Sequence, residues 1–437
     1  MAEATRTTLD AILKDYYIGP LQEQLNDEVM VLNLFEKAKI SWAGKQGVVP
    51  VHVGRNVGVE FKAESSSLPD AGTQTTKRLT FTAAYLYGRF QVTGPAIASA
   101  AKGGKASFVG ALELEMDKLK DDVRNKADRS LTSGGRVAGF LHQRQTEAGA
   151  ATWQFRGDFA KLATAYTERG ASVDLAIVDC SNNTLTGEAI TYEFIATAAQ
   201  LDASHAGFSA AAGTIRLDAA LDTSGVAPGF GCAVVISDAH ATLDYLDAEP
   251  TGIYGNLGYV SLFGVDRGSV AGDAMELQSI IATQDDAAAS ADAEALSLER
   301  MQQMIDAINV TSGMDPDLIM MNPIARSRYT ALIAGNIFKP VEKATSGDGG
   351  FLGLSYGGIP IKSARNVDNG LMIFMNTKCW KLAVLEDGKF ADLDGSVLSR
   401  VVDNDSWEGF YKWYYNHYCY RPNANGILTG MFLSATA

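Results

Sequence analysis

Residues 108–131, FVGALELEMDKLKDDVRNKADRSL, have the pattern of one long charged helix. Their apolar side chains recur at spacings of three and four, which places them on a single stripe. Charged residues cover the remaining surface, with oppositely charged pairs at helical spacing such as Lys118 and Asp122. A narrow apolar stripe on a long charged helix predicts a helix that lies across a sheet. The stripe comprises Leu112, Met116, Leu119, Val123 and Ala127.

The composition is that of an acidic globular protein. The chain has 437 residues, of which 46% are apolar and 20% charged, and its net charge is −14. This length suffices for two or three domains, and the negative charge argues against tight binding of nucleic acid through a general electrostatic field. The four cysteines are scattered, and neither a signal peptide nor a membrane-spanning run is evident. We therefore expect a protein made in a reducing cytosol that does not enter membranes.

Two segments that precede the helix have little core of their own. Residues 1–40 are helical in pattern, with a break at Gly19 and Pro20. Residues 41–92 predict a long two-stranded excursion that returns through the polar stretch SSSLPDAGTQTT. Because an isolated hairpin is marginally stable in water, we expect this one to pack on a partner. Its predicted assembly contacts are Val57, Val59, Phe61, Lys62, Lys77, Leu79 and Phe81.

The pattern changes twice after the charged helix. Residues 153–167 predict a second helix, and residues 172–240 contain short strands separated by turn signals. Such spacing predicts a small β-barrel or sandwich that is inserted as a unit. From residue 297 onward, helices alternate with short apolar strands, which predicts an α+β domain. Pro316 is expected to end the first of these helices and Pro323 to begin the second.

The last strand-like block, residues 397–422, is densely aromatic. Aromatic side chains can stack on nucleic-acid bases. Between residues 407 and 421, however, Lys412 and Arg421 are the only lysine and arginine that could contact phosphate groups. The pattern favours a twisted sheet whose aromatic residues pack beneath the charged helix. These residues are Trp407, Phe410, Tyr411, Trp413, Tyr414, Tyr415, Tyr418 and Tyr420.

No motif for catalysis, cofactor binding or metal binding is found in the sequence. The five histidines form no HExxH motif, and none stands beside a cysteine at ligand spacing. A GxSxG nucleophile elbow is also absent from the sequence. We therefore predict a protein that is not an enzyme and has no cofactor.

The order of these elements resembles that of the major capsid proteins of tailed bacteriophages. A helical arm, a long β-excursion, a charged helix, an α+β domain with an inserted β-module and a terminal strand pair follow one another over nearly the whole chain. Local segments are similar to the arm, extended loop, spine helix and axial domain of that family. These segments are YYIGPLQEQLNDEVMVLNLFEKA, GKQGVVPVHVGRNVGVEFKAESSSLPDAGTQ, GRFQVTGPAIASA, FVGALELEMDKLKDDVRNKADRSLTSGG, PTGIYGN, GVDRGSV, SGMDPDLIMMNPIARSRYTALI and GGIPIKSARNV.

The resemblance implies an α+β fold of the phage major capsid type. In that fold the spine helix belongs to a peripheral domain, and an α/β axial domain lies near the symmetry axis of the capsomer. Here the axial domain is expected to carry the inserted β-barrel-like module. The implied divisions are 1–40 for the N-terminal arm, 41–92 for the extended β-hairpin loop, 93–140 and 385–421 for the peripheral domain, 141–384 and 422–437 for the axial domain, and 172–240 for the module.

The function implied by the resemblance is that of a structural coat protein. Copies of the chain are expected to self-assemble as hexamers and pentamers into an icosahedral shell around the double-stranded DNA of a phage, which they contact only non-specifically. The expected location is the virion capsid, assembled in the host bacterial cytoplasm without a membrane.

The resemblance also implies further partners. They are a portal and, because the region before the loop is short, a separate scaffolding protein; a decoration protein is left open. Some relatives crosslink covalently through a lysine of the extended loop. Lys62 and Lys77 lie there, but no partner Asn or activating Glu is evident, so we predict no crosslink.

Two alternatives remain open from the sequence. An encapsulin-type compartment has the same fold and would differ in its content, which is an enzyme cargo in place of DNA. A β-rich carbohydrate-active enzyme would need paired carboxylates that face one cleft. The sequence does not place Glu193, Asp174 and Asp218 on a common face.

Overall fold

A computed structural model shows a mixed α+β chain with several sheets and few helices. The residues it describes are 29–38, 42–56, 58–64, 66–94, 105–135, 137–147, 150–157, 173–179, 190–195, 207–209, 214–216, 232–236, 248–258, 261–267, 277–283, 296–336, 354–368, 371–392, 399–400 and 405–429. The predicted α+β class is confirmed.

Within these residues the helices are α1 Lys105–Ser133, α2 Ile253–Gly258, α3 Leu298–Ser312 and α4 Pro323–Asn336. The first twelve strands are β1 Glu36–Ala38, β2 Trp42–Ala43, β3 Gln46–Gly54, β4 Thr75–Thr82, β5 Ala84–Thr93, β6 Val137–Glu147, β7 Ala150–Gly157, β8 Val173–Asp179, β9 Ile190–Ile195, β10 Gly207–Ser209, β11 Thr214–Arg216 and β12 Cys232–Ile236. The others are β13 Ser261–Leu262, β14 Val265–Asp266, β15 Ile280–Thr283, β16 Leu318–Met321, β17 Ser355–Tyr356, β18 Ile359–Ser363, β19 Met372–Met375, β20 Trp380–Phe390, β21 Ser399–Arg400, β22 Ser406–Cys419 and β23 Gly426–Thr429.

The aromatic strand β22 is the centre of a five-stranded sheet. It pairs antiparallel with β5, β20 and β21, and β1 adds to the far edge of β20 in parallel. Alternate residues Tyr411, Trp413 and Tyr415 are buried in one core with residues of α1. The predicted packing of the aromatic block beneath the charged helix is therefore confirmed for these three residues.

The helix α1 lies close to this sheet because the sheet has a glycine at the contact. A Cβ atom on Gly88 of β5 would stand 2.7 Å from Val123 Cγ2 and 2.9 Å from Leu119 Cδ1. Val123 and Ala127 are buried, as the predicted stripe requires, and Leu119 packs against the same core. Any side chain at position 88 would push the helix away from the sheet.

The second large sheet has the strand order β15-β23-β19-β16-β18-β17. Its strand β16 is buried on both faces, with Leu318 and Met320 in the core shared with α1 and Ile319 and Met321 in the core beneath α3 and α4. A continuous apolar run is what a strand covered on both sides requires, so this predicted strand is confirmed.

The helices α3 and α4 begin where the sequence predicts them. The prediction that Pro316 ends α3 was wrong, however. The helix ends at Ser312 because Gly313 takes a left-handed conformation at φ 70° and donates its N–H to the carbonyl of Asn309. Pro316 lies beyond this turn and is not the residue that stops the helix.

A closed barrel in the order β10-β11-β7-β6-β12-β8-β9 follows α1. It takes in two strands that precede the predicted 172–240 module, so that range was too short. The helix predicted over 153–167 was wrong as far as Gly157, because these residues belong to β7; residues 158–167 lie outside the described part. The entry and exit of the barrel segment meet where the N–H of Gly252 points at the carbonyl of Gly134, at 3.5 Å.

The extended loop differs from its prediction in two respects. Its strands β3 and β4 form a three-stranded sheet with β2, but residues 58–63, predicted as an outgoing strand, form no strand. The returning chain leaves this sheet at Thr82, and β5 joins the sheet of β22 instead. Of the predicted arm, residues 1–28, 39 and 40 lie outside the described part.

Candidate assembly surface

The chain between β3 and β4, residues 55–74, is named the strap here. Its described residues form no strand or helix, and its apolar side chains project into solvent: Val59 and Leu68 are 82% and 87% exposed, and Phe61 is fully exposed. The outgoing and returning halves of the strap nevertheless run close together. A Cβ atom on Gly58 would stand only 2.5 Å from the carbonyl oxygen of Asp70. The strap thus offers apolar groups that no described residue of this chain covers.

The base of the same loop is anchored inside the subunit. Phe81 stacks on Tyr418 at 5.1 Å between ring centroids and contacts Trp42 and Phe263. The carbonyl of Phe263 accepts the N–H of Thr80 at 2.9 Å, from a turn in which Phe263 has φ 56°. A bulky residue with a positive φ is strained, so this contact holds an unfavourable turn against β4.

The structure describes six of the seven predicted assembly contacts, and it places them in different surroundings. Val59, Phe61 and Lys62 are exposed on the strap, and Lys62 pairs with Glu60 at 2.6 Å. Lys77 is half-buried, and Val57 lies outside the described residues. Leu79 and Phe81 are buried in this chain's own core with Val265, Leu277, Ala383 and Tyr418. For these two residues the expectation of an open apolar face was wrong, because Trp42 of β2, Val265 of β14 and Tyr418 of β22 supply the cover.

A buried carboxylate joins the segment 29–38, the helix α1 and the loop of Asn366. Asp128 of α1 accepts the backbone N–H of Leu32 at 2.8 Å and the side-chain amide of Asn366 at 2.7 Å. The backbone N–H groups of Val31 and Met30 also stabilise it. Burial raises the pKa of Asp128, although these hydrogen bonds oppose the shift. A site this dry and this well supplied with donors fixes the described end of the arm on the helix.

The arm is also held by an aromatic stack. Phe35 stacks on Trp380 at 5.6 Å and on His417 at 5.4 Å between ring centroids. His417 is fully buried, and Asn256 Nδ2 lies 3.4 Å from its Nε2. Burial lowers the pKa of His417 to about 3, so the ring is neutral over the physiological range. The arm segment 29–38 therefore belongs to the subunit core.

The face of the β22 sheet opposite α1 is aromatic and open. Tyr85 and Tyr87 of β5 pack edge-on against Tyr414, and the Tyr87 hydroxyl donates to the Tyr414 hydroxyl at 3.0 Å. Glu386 bridges Lys389 and Lys412 beside them, and these hydrogen bonds lower the pKa of the Glu386 carboxyl. Sequence reasoning missed this face, although the alternation of Tyr85 and Tyr87 with Leu86 and Gly88 in YLYG signals it.

The described residues show no metal site and no membrane helix. They contain no group of three or more His, Cys, Asp and Glu side chains that could hold a metal ion. None of the helices among them is both long enough and apolar enough to cross a bilayer.

The helix α1 packed on the aromatic sheet of β22, the second sheet of β15 to β23 and the strap form the framework that a comparison with solved structures can test. The structure matches a chain of the cyanophage A-1(L) capsid asymmetric unit with a TM-score of 0.56 and 12% sequence identity, over 98% of this chain and 99% of that chain. The phage-capsid type of α+β fold implied by the sequence resemblance is therefore confirmed, whereas the division into arm, loop, peripheral and axial domains stays a prediction.

Other similarities are weaker. A Mycobacterium phage Bobi structure gives a TM-score of 0.43 at 9% identity, over 98% of this chain and 99% of that chain. The SrpI encapsulin of Synechococcus elongatus PCC 7942 gives 0.43 at 8%, over 100% and 99%. TM-scores of this size carry no argument about fold or function. No protein-family model matches the sequence, and no curated protein matches it either.

Proposed function

We propose that this chain is the major capsid protein of a tailed phage, a structural subunit without catalytic activity. Copies assemble as hexamers and pentamers into an icosahedral shell that encloses double-stranded DNA. The observation that carries the proposal is the strap, which exposes Val59, Phe61 and Leu68 on a subunit of capsid fold. Exposed apolar side chains gathered on one extended segment mark an interaction surface.

The strap can serve a neighbouring copy because its base is fixed. The anchoring of Phe81 and Thr80 gives the loop a defined root, and Gln74 at the end of the strap adds a contact of 2.6 Å between its Oε1 and His52 Nε2 of β3. Farther along the strap, described residues form local hydrogen bonds, such as that of Gly58 to Asn56 at 2.7 Å. A rooted but uncovered segment can bury its side chains on an adjacent subunit, and repetition of that contact builds a closed assembly.

The charge of the chain supports DNA as the content. With a net charge of −14, a shell of this protein repels phosphate and leaves packed DNA free to move. The remaining parts of the proposal are a separate scaffolding protein, a portal and assembly in the host cytoplasm. The proposed division into arm, extended loop, peripheral domain and axial domain is kept with two changes. The module begins at residue 137, and β5 is assigned to the peripheral domain because it pairs with β22.

The test is particle formation by the full chain, with and without the strap. The full chain is expressed with its phage's scaffolding protein, and particles are detected by sedimentation and electron microscopy. A variant whose residues 58–72 are replaced by a Gly-Ser linker should keep the subunit melting transition and form no closed shells. Normal shells from this variant contradict the role of the strap, and a subunit that stays monomeric with scaffold contradicts the capsid function.

Two further measurements sharpen this test. Lys62 of the free subunit should be cleaved rapidly by trypsin and become protected in shells, since exposed segments are the preferred sites of nicking. Particles purified from infected cells should contain DNA; an enzyme cargo in its place would identify the compartment alternative.

A further inference from the structure

The axial domain carries segments of opposite charge. The helix α3 and the loop after it hold four carboxylates and one arginine, whereas α4 and residues 354–368 hold four cations and one carboxylate. The acidic segment contains Glu299, Asp306, Asp315 and Asp317 with Arg300; the basic segment contains Arg326, Arg328, Lys362 and Arg365 with Asp368.

A cleft opens in the acidic segment, between α3 and the turn that joins β17 to β18. Its volume is about 440 Å³, and the side chains that line it include Asp306 and Asp315 but no cation. Both carboxylates are exposed, and Asp315 accepts a hydrogen bond from Asn309 Nδ2 at 2.7 Å. Val310 stands in the same lining and is 85% exposed. The cleft thus combines negative charge with an open apolar side chain, at a size that accepts a ligand group.

The basic segment has a matching composition. Ile324, on the first turn of α4, is 52% exposed. Asn322 accepts the N–H of Ile324 at 3.0 Å and donates to the carbonyl of Val367 at 2.8 Å, which holds the start of α4 beside the loop of Arg365. Arg326 and Arg365 are both exposed, so an apolar side chain is flanked by positive charge.

These two surfaces lie at opposite ends of the parallel strands β16 and β18. Asp315 and Gly357 precede the two strands, whereas Ile324 and Arg365 follow them. A four-residue strand separates its ends by about 13 Å. The cleft and the exposed start of α4 therefore cannot meet within one chain.

We propose that the acidic cleft of one copy receives the basic start of α4 from the next copy. Val310 then packs against Ile324, and Asp306 and Asp315 face Arg326 and Arg365. A contact between two unlike surfaces of the same chain is head-to-tail, and it generates a ring when the rotation between copies closes. Complementary charge fixes the register of such a contact and disfavours wrong pairings. This inference rests on the proposed capsid function and names the surfaces that form the capsomer ring.

Disulfide trapping tests the contact directly. In the full chain, Val310→Cys and Ile324→Cys are combined, and assembled particles are oxidised with diamide, which takes up the two electrons and two protons of the thiols. Because a disulfide needs Cα atoms within about 7 Å, any bond between these positions joins different copies. We expect a ladder of dimers and higher multimers on a non-reducing gel, which dithiothreitol abolishes.

The controls for trapping are V310C alone, I324C alone and the pair Val59→Cys with Ile324→Cys, none of which should give the ladder. Intact particles of V310C/I324C that yield only monomers after oxidation overturn the contact.

Charge reversal supplies the second test. Asp306→Lys with Asp315→Lys, or Arg326→Glu with Arg365→Glu, should reduce particle yield by at least about tenfold, because like charges then face each other. Combining all four substitutions should restore yield to within about twofold of wild type. The variant Glu115→Lys with Asp117→Lys changes the net charge by the same amount as the first pair on an exposed part of α1, and should assemble.

The outcomes separate this inference from the capsid function. Wild-type shells accompanied by normal shells from both reversal pairs overturn the contact and leave the function intact. Wild-type protein that forms no shells under any condition overturns both.

Discussion

Leu32 donates its backbone N–H to the carboxylate of Asp128 at 2.8 Å, although 96 residues separate them in the sequence. The same carboxylate accepts the amide of Asn366, so three distant segments depend on one buried side chain. An unsatisfied buried donor costs about 1–3 kcal/mol, and Asp128 satisfies several of them.

We expect Asp128→Ala to lower the free energy of unfolding by roughly 2–4 kcal/mol, because it leaves the donors of the arm and of Asn366 without an acceptor. Asp128→Asn keeps one acceptor oxygen, so its free energy of unfolding should lie between those of wild type and Asp128→Ala. Urea denaturation of the soluble subunit measures both. Asp122→Ala, an exposed position on the same helix, should change stability by less than about 0.5 kcal/mol; an equal loss there would remove the special role of Asp128.

Acid should destabilise the subunit through His417. Its folded pKa of about 3 lies below the ordinary value of 6.5, so between these pH values the unfolded state binds the proton more readily. Stability from this residue is thus present above pH 6.5 and declines as the pH falls, by up to about 1.4 kcal/mol per pH unit. Burial raises the pKa of Asp128 above its ordinary value, so this carboxyl contributes a pH dependence of opposite sign, in which stability increases as the pH falls.

The variant His417→Phe keeps an aromatic ring beside Phe35 and Trp380 and cannot bind a proton. Its stability should vary less between pH 6.5 and pH 4 than that of wild type, as measured by thermal unfolding across that range. His52→Gln, at an exposed position, should retain the wild-type slope. An unchanged slope in His417→Phe would show that other groups govern acid unfolding.

Gly88→Ala should destabilise the subunit by about 1–3 kcal/mol, since its Cβ would overlap Val123 and Leu119. Val123→Ala alone should also destabilise, because it opens a cavity. Combined, the two substitutions relieve each other, and the double mutant should be more stable than the sum of the single effects predicts. If the two stability changes are strictly additive, residues 88 and 123 are not in direct contact.

The barrel should fold only with its first two strands. A fragment of residues 136–241 retains every strand of the closed order, whereas residues 172–240 lack β6 and β7 and leave two open edges. We expect dispersed amide resonances from the longer fragment and a collapsed spectrum from the shorter one. Phe140 is changed to Thr in the longer fragment, because its partner Tyr254 lies outside the barrel. A well-dispersed 172–240 spectrum would contradict the barrel as the folding unit.

The sequence predicted the elements whose signal is local. The stripe of α1 and the apolar run of β16 depend on residue spacing alone, and the structure confirms the run of β16 and, for the stripe, Leu119, Val123 and Ala127. The barrel range was misjudged because the role of β7 is set by pairing with β6 and β11, one of which lies 57 residues or more away in the chain. The alternation of Leu79 and Phe81 shows that one face is apolar, but no local pattern tells whether the cover comes from Tyr418 or from another copy.

The strap and the outer aromatic face illustrate the same limit for the candidate site. Phe61 and Tyr85 are aromatic residues in segments with a strand-like sequence pattern. Only the fold reveals that both side chains remain exposed to solvent. The buried charges were equally hidden. Asp128 stands in a run of charged residues that looks uniformly solvated, and its burial follows from the arm that crosses the helix there.

Gly134 and Gly252 approach each other so closely that neither position has room for a Cβ atom. The consequence is genetic. A segment whose two ends touch can be gained or lost in one event without moving the elements on either side, and such sites tolerate domain insertion. The more than one hundred residues between these glycines thus have the architecture of a cassette, which a lineage could exchange while the elements on either side stayed the same.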